Sequence, residues 1–131
     1  MAKHSIKIKL GAKSYYGCAN KLRKDDRRQS RYRKQRDKRG FDDTETWSLD
    51  TTLAKFLLPR LKRFIEVNVG RPIGMSEKRW DMIIKIMIRG FELHASGAEW
   101  RTDDATESIK IERRIKSAWR LLGKYGRHLW W

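Results

Sequence analysis

At 131 residues the chain is sized for one domain, and its 39% hydrophobic and 37% charged content supplies one core under a heavy charge load. Lys and Arg number 32 against 16 Asp and Glu, a net charge of +16 that points to a polyanionic partner. One cysteine, Cys18, excludes an intrachain disulfide, and the longest apolar-rich stretch, residues 80–91, is broken by Lys85 and Arg89 and too short to span a bilayer. With no signal-peptide-like apolar run near the start, the expectation is a soluble, intracellular protein with no membrane partner.

The charge is uneven about Gly40. Residues 1–40 hold 15 basic and 3 acidic residues, a net of +12, whereas residues 41–131 hold 17 and 13, a net of +4. The predicted organisation is therefore a basic arm, 1–40, and a helical domain, 41–131. In the arm, Ile6, Ile8 and Leu10 alternate with basic residues and would share one face of a short strand. Residues 19–39 are rich in helix formers and nearly devoid of apolar ones, the pattern of an exposed helix or of a segment that folds on a partner.

Beyond Gly40 three helices are predicted. The first follows Ser48 as N-cap, with Asp50 in its first turn and Leu49, Leu53, Phe56, Leu57, Leu61, Phe64 and Ile65 on one face; Pro59 interrupts it and is expected to bend it. The second follows Ser76, carries Trp80, Ile83, Ile84, Met87, Ile88 and Phe91 on one face, and stops near Gly97. Met82 and Ile86 lie off that face, so this helix is expected to be buried on more than one side. The third, from about Asp103 to Tyr125, repeats Ile111, Ile115, Ala118, Leu122, Tyr125 and Leu129 in steps of four and three, a heptad seam. The fold expected is all-α: a small three-helix bundle preceded by a basic, partly helical arm.

The order of motifs from residue 33 onward resembles a family of small tailed-bacteriophage proteins. It comprises a basic run ending at Gly40, Asp43 and Trp47, then Leu49 and Asp50, then Pro59, Arg60 and Leu61, then Glu77 and Trp80 with Arg79 as a departure, and finally Tyr125, Leu129 and Trp130. The resemblance implies a phage origin and hence the host cytoplasm or a virion. It implies no activity.

The arm offers Arg23, Lys24, Arg27, Arg28, Arg31, Arg33, Lys34, Arg36, Lys38 and Arg39 to phosphates, and Tyr15, Tyr16 and Tyr32 to stacking on bases. Arg60, Lys62 and Arg63 are candidates to extend that surface. Asp42, Asp43, Glu45 and Asp50 are better read as helix-start and charge-offsetting acids than as a metal site, since no histidine or further acid recurs at ligand spacing. His4, His94 and His128 are scattered, no nucleophile or phosphate-loop motif occurs, and no cofactor, metal or enzymatic activity is expected. Trp47, Trp80 and Trp119 are expected in the core. Leu122, Tyr125, Leu129, Trp130 and Trp131 form the expected interface for self-association or a protein partner.

Three functions compete on these terms. The leading one is a non-enzymatic protein that binds the phosphate backbone of DNA or RNA. The second is a structural or interaction protein, an assembly subunit or a host-factor inhibitor, that docks through its C-terminal aromatic surface. The third is a sponge for small phosphorylated ligands.

Overall fold

The computed structural model describes residues 17–131. Those residues form α1 (Arg28–Arg39), α2 (Thr44–Trp47), α3 (Leu49–Val67), α4 (Glu77–Ser96) and α5 (Ala105–Tyr125), with 3-10 turns at Cys18–Lys21, Ala98–Trp100 and Gly126–His128. No strand occurs among the described residues, and the fold is all-α as expected. The strand proposed at Ile6, Ile8 and Leu10 lies outside the described residues, as do His4, Tyr15 and Tyr16. No helix among the described residues is long and apolar enough to cross a membrane.

The chain divides into two compact units between Leu53 and Ala54. Gly40, the expected border, instead ends α1 inside the first unit. It adopts a left-handed conformation, φ 88°, and its N–H caps the Arg36 carbonyl at 2.8 Å. Cutting at Leu53 also redistributes the charge. Residues 1–53 hold 15 basic and 7 acidic residues, 15 − 7 = +8, and residues 54–131 hold 17 and 9, 17 − 9 = +8.

Among the described residues the first unit sets polar contacts around one buried aromatic ring. Tyr32, on the inner face of α1, is buried, and its ring meets Trp47 edge-on with centroids 6.2 Å apart. Trp47 itself, the last residue of the four-residue α2, is 54% exposed, so the expectation that it is core does not hold. The start of α2 is a capping box. The Asp42 carboxylate accepts from the Thr44 N–H at 2.8 Å and from the Thr44 hydroxyl, while the Glu45 carboxylate reaches back to the Asp42 N–H at 2.7 Å. Gly17 lies against this turn: a Cβ there would overlap Thr44 Oγ1 and sit 2.6 Å from the Glu45 nitrogen.

In the second unit Ala54, Leu61, Trp80, Ile83, Ile84, Met87, Phe91 and Ala118 form one buried cluster, drawn from α3, α4 and α5. Ser76 caps α4 as predicted, accepting from the Arg79 N–H at 3.2 Å, and Gly97 ends it in the left-handed region at φ 66°. Pro59 stands inside α3, which runs on through it without the N–H that position would have donated. Met82 and Ile86 are exposed, so α4 is amphipathic rather than buried on several sides. Gly90 sets the approach of α4 to α5, because a Cβ there would overlap that of Ala118 and lie 2.6 Å from the Arg114 carbonyl oxygen. Trp119 closes the other end, donating to His94 Nδ1 at 2.8 Å and meeting Phe91 edge-on at 5.0 Å.

Candidate nucleic-acid interface

Helix geometry sorts the cations of α1 into two sets. Taking buried Tyr32 as the inward direction, Arg28, Arg36 and Arg39 share its side of the helix at i−4, i+4 and i+7. Each holds an acid. Arg28 donates to Asp26 at 3.1 Å, Arg36 to Asp42 at 2.6 Å and Arg39 to Asp43 at 2.6 Å. Gln35 adds a reciprocal pair, giving an N–H to the Asp43 carboxylate at 2.8 Å and accepting the Asp43 backbone N–H at 2.9 Å. The Arg36–Asp42 pair is the buried one, with side chains 10% and 0% exposed.

The protonation equilibria follow the geometry. Hydrogen bonds from Arg28 hold the Asp26 carboxyl below its ordinary range, and those from Arg39 and Gln35 do the same for Asp43. Burial pushes Glu45 up, despite the N–H it accepts from Asp42. These are structural acids. Among the described residues no group of three His, Cys, Asp or Glu side chains is placed to hold a metal.

The second set lies off that side, although Arg31 reaches back over the Tyr32 ring, 5.2 Å from its centroid. Arg27, Arg31, Lys34 and Lys38, spaced i, i+4, i+7 and i+11, lie along one outer line of the helix, are all exposed, and have no ion-pair partner among the described residues. At 1.5 Å rise per residue the line is about 16 Å long. Arg33 is exposed to one side of it. Tyr32, expected to stack on bases, is buried; Arg36 is buried with Asp42; and Arg28 and Arg39 are committed to Asp26 and Asp43. Outside the helix Arg23 contacts Asp25 at 3.6 Å, and Lys24 is exposed.

The proposed extension through Arg60, Lys62 and Arg63 is engaged within the chain. Arg60 stacks over Phe56 at 3.8 Å and donates to its carbonyl oxygen, Lys62 pairs with Glu92 at 2.9 Å, and Arg63 pairs with Glu66 at 3.0 Å. A different cationic face emerges on α5. Opposite buried Ile111, Ile115 and Ala118 lie Arg113, Lys116, Arg120 and Lys124, all exposed, with Lys116 loosely paired to Glu112 at 3.8 Å and Lys124 over the Tyr125 ring at 5.3 Å. An open groove of about 530 Å³ is lined by Arg113, Lys116, Ser117 and Arg120. A second, of about 220 Å³, is lined by Ile86, Arg89, Arg113, Arg114 and Ser117. The signal was present in the sequence as basic residues at the positions the heptad seam leaves outward.

The expected C-terminal interface divides. Leu122, Tyr125 and Leu129 pack against the protein's own core, Tyr125 meeting Trp80 edge-on at 5.9 Å, so the seam closes this bundle. Trp130 and Trp131 remain 73% and 70% exposed. Comparison of the chain with protein-family models, curated proteins and solved structures found no match.

Proposed function

We propose that this chain is a phage-encoded, non-enzymatic nucleic-acid-binding protein whose phosphate contacts come from exposed cationic helix faces rather than from a loose arm. The observation that carries the proposal is the sorting on α1. Its inward arginines are matched to acids, while Arg27, Arg31, Lys34 and Lys38 form an exposed line with no ion pair among the described residues, although the exposed Asp37 follows Lys34 by three positions on the same helix. Aligned, uncompensated charge is costly to a fold and useful to a polyanion. Four cations along about 16 Å meet a duplex carrying one charge per ~1.7 Å of axis, so every member of the line can reach a phosphate. Such contacts position a protein on the backbone and carry little sequence information, so weak sequence preference is expected. The face on α5 adds a second set of contacts of the same kind.

Fluorescence anisotropy with labelled duplex DNA and duplex RNA, titrated at several salt concentrations, tests the proposal. Binding that weakens linearly in log K against log salt is the expected result. No binding at low salt, or an affinity indifferent to salt, overturns it.

A further inference from the structure

The C-terminal tryptophans line a cleft together with the loop that follows α3. Asn68, at the end of α3, fixes Gly70 from both sides, donating from Nδ2 to its carbonyl oxygen at 2.7 Å and accepting its N–H at 3.2 Å. The Met75 N–H closes a turn onto the Pro72 carbonyl at 3.2 Å, with Gly74 in the left-handed region at φ 79°. Between this loop and the chain end lies a cleft of about 190 Å³, lined by Val69, Gly70, Arg71, Pro72, His128, Trp130 and Trp131. Leu129, next to the two indoles, packs on the core.

We infer that this cleft takes an unpaired nucleobase, so that the protein prefers single-stranded or unwound nucleic acid at this end; the inference rests on the nucleic-acid reading above. Three features select that occupant. At about 190 Å³ the cleft is smaller than the ~300 Å³ and upward typical of whole small-molecule ligands, and suits one flat ring system. Its walls offer π-faces, two indoles and an imidazole, on which any base can stack. Its cation, Arg71, is exposed without an ion-pair partner among the described residues, and complements the phosphate that accompanies a base. The unit around it carries a net +8 (17 − 9), which favours a polyanion over a basic or neutral protein surface.

The test compares the full chain with a Trp130→Leu/Trp131→Leu variant and a Trp130→Phe/Trp131→Phe variant, on three probes: oligo(dT), a blunt DNA duplex and inorganic polyphosphate. Polyphosphate carries the charge without bases. The leucine variant is expected to bind oligo(dT) about tenfold more weakly, with duplex and polyphosphate binding unchanged, and the phenylalanine variant to recover most of the loss. An unchanged oligo(dT) affinity, or an equal loss on polyphosphate, overturns the inference while leaving the backbone-binding proposal standing. A leucine variant that changes mass in light scattering but not oligo(dT) affinity also overturns it, in favour of a protein contact. A wild type that binds none of the probes overturns both. Circular dichroism melts of each variant verify that the bundle remains folded.

Discussion

Arg36→Ala is the perturbation that separates the structural arginines from the binding ones. Asp42 is fully buried and, among the described residues, accepts from Arg36 at 2.6 Å, from the Thr44 N–H at 2.8 Å and from the Thr44 hydroxyl; of these partners Arg36 supplies the opposite charge. Breaking a buried pair by removing one partner leaves an uncompensated charge and costs about 3–5 kcal/mol. At ~0.05–0.15 kcal/mol per residue, a unit the length of residues 17–53 holds about 2–6 kcal/mol. The substitution should therefore unfold most of the first unit while the apolar core of the second stays intact. Native-state hydrogen exchange reads both at once: amides of α1 and of Thr44–Trp47 should lose protection, and those of α4 should keep it. An Arg36→Met/Asp42→Leu variant, which removes both charges, should regain much of the loss. Protection of α1 within about 1 kcal/mol of wild type in Arg36→Ala would refute the reasoning, since surface pairs cost that little.

Gly90→Ala should destabilise the second unit by about 1–3 kcal/mol, because the new methyl overlaps Ala118 and the Arg114 carbonyl; thermal melts would show it, with partial recovery on adding Ala118→Gly. An exposed helical glycine would give the opposite sign. Glu45 is raised by burial, so its contribution is full below the ordinary carboxylate range and is lost as pH rises through its raised value. Asp26 and Asp43 are lowered, so theirs is present above that range and lost as pH falls. The first unit should thus be most stable in mildly acidic solution, and Glu45→Gln should remove the decline on the alkaline side in melts followed by circular dichroism. Phe91→Ala should cost about 3–5 kcal/mol by the same assay, since its ring is fully buried and meets Trp119 edge-on.

Much of the second unit was legible because its determinants are local or periodic. Ser76 and Gly97 bracket α4 by their own side-chain and backbone chemistry, and the steps of four and three from Ile111 to Leu129 name the buried face of α5. Whether that seam closed on its own chain or on a second one was not in the period; the close approach that Gly90 permits to Ala118 accompanies packing within the chain. The first unit was harder to read. Arg36 and Asp42 are six apart across the Gly40 turn, a separation no helix spacing marks, so a run that looks uniformly basic conceals three structural arginines. Tyr32 read as a stacking residue because a single aromatic among cations carries no periodicity to show that it faces inward. The acids Asp42 and Glu45 read as serving the helix after Ser48, and the short α2 that they actually cap was not foreseen, because four residues carry no periodicity. The α5 face was missed because counting charge on either side of Gly40 made the second segment look only mildly basic.

The most direct test of the account is the salt dependence of duplex binding for wild type and for the quadruple variant Arg27→Gln, Arg31→Gln, Lys34→Gln, Lys38→Gln. These four side chains are exposed and form no ion pair among the described residues, and the one ring contact, Arg31 over Tyr32 at 5.2 Å, is at the helix surface, so circular dichroism should be little changed. With a slope near −0.9 per phosphate contact, the variant's plot of log K against log salt should be shallower by about 3–4 units, with affinity at low salt correspondingly reduced. A folded variant with the wild-type slope and affinity would contradict the claim that the outward face of α1 is the binding surface.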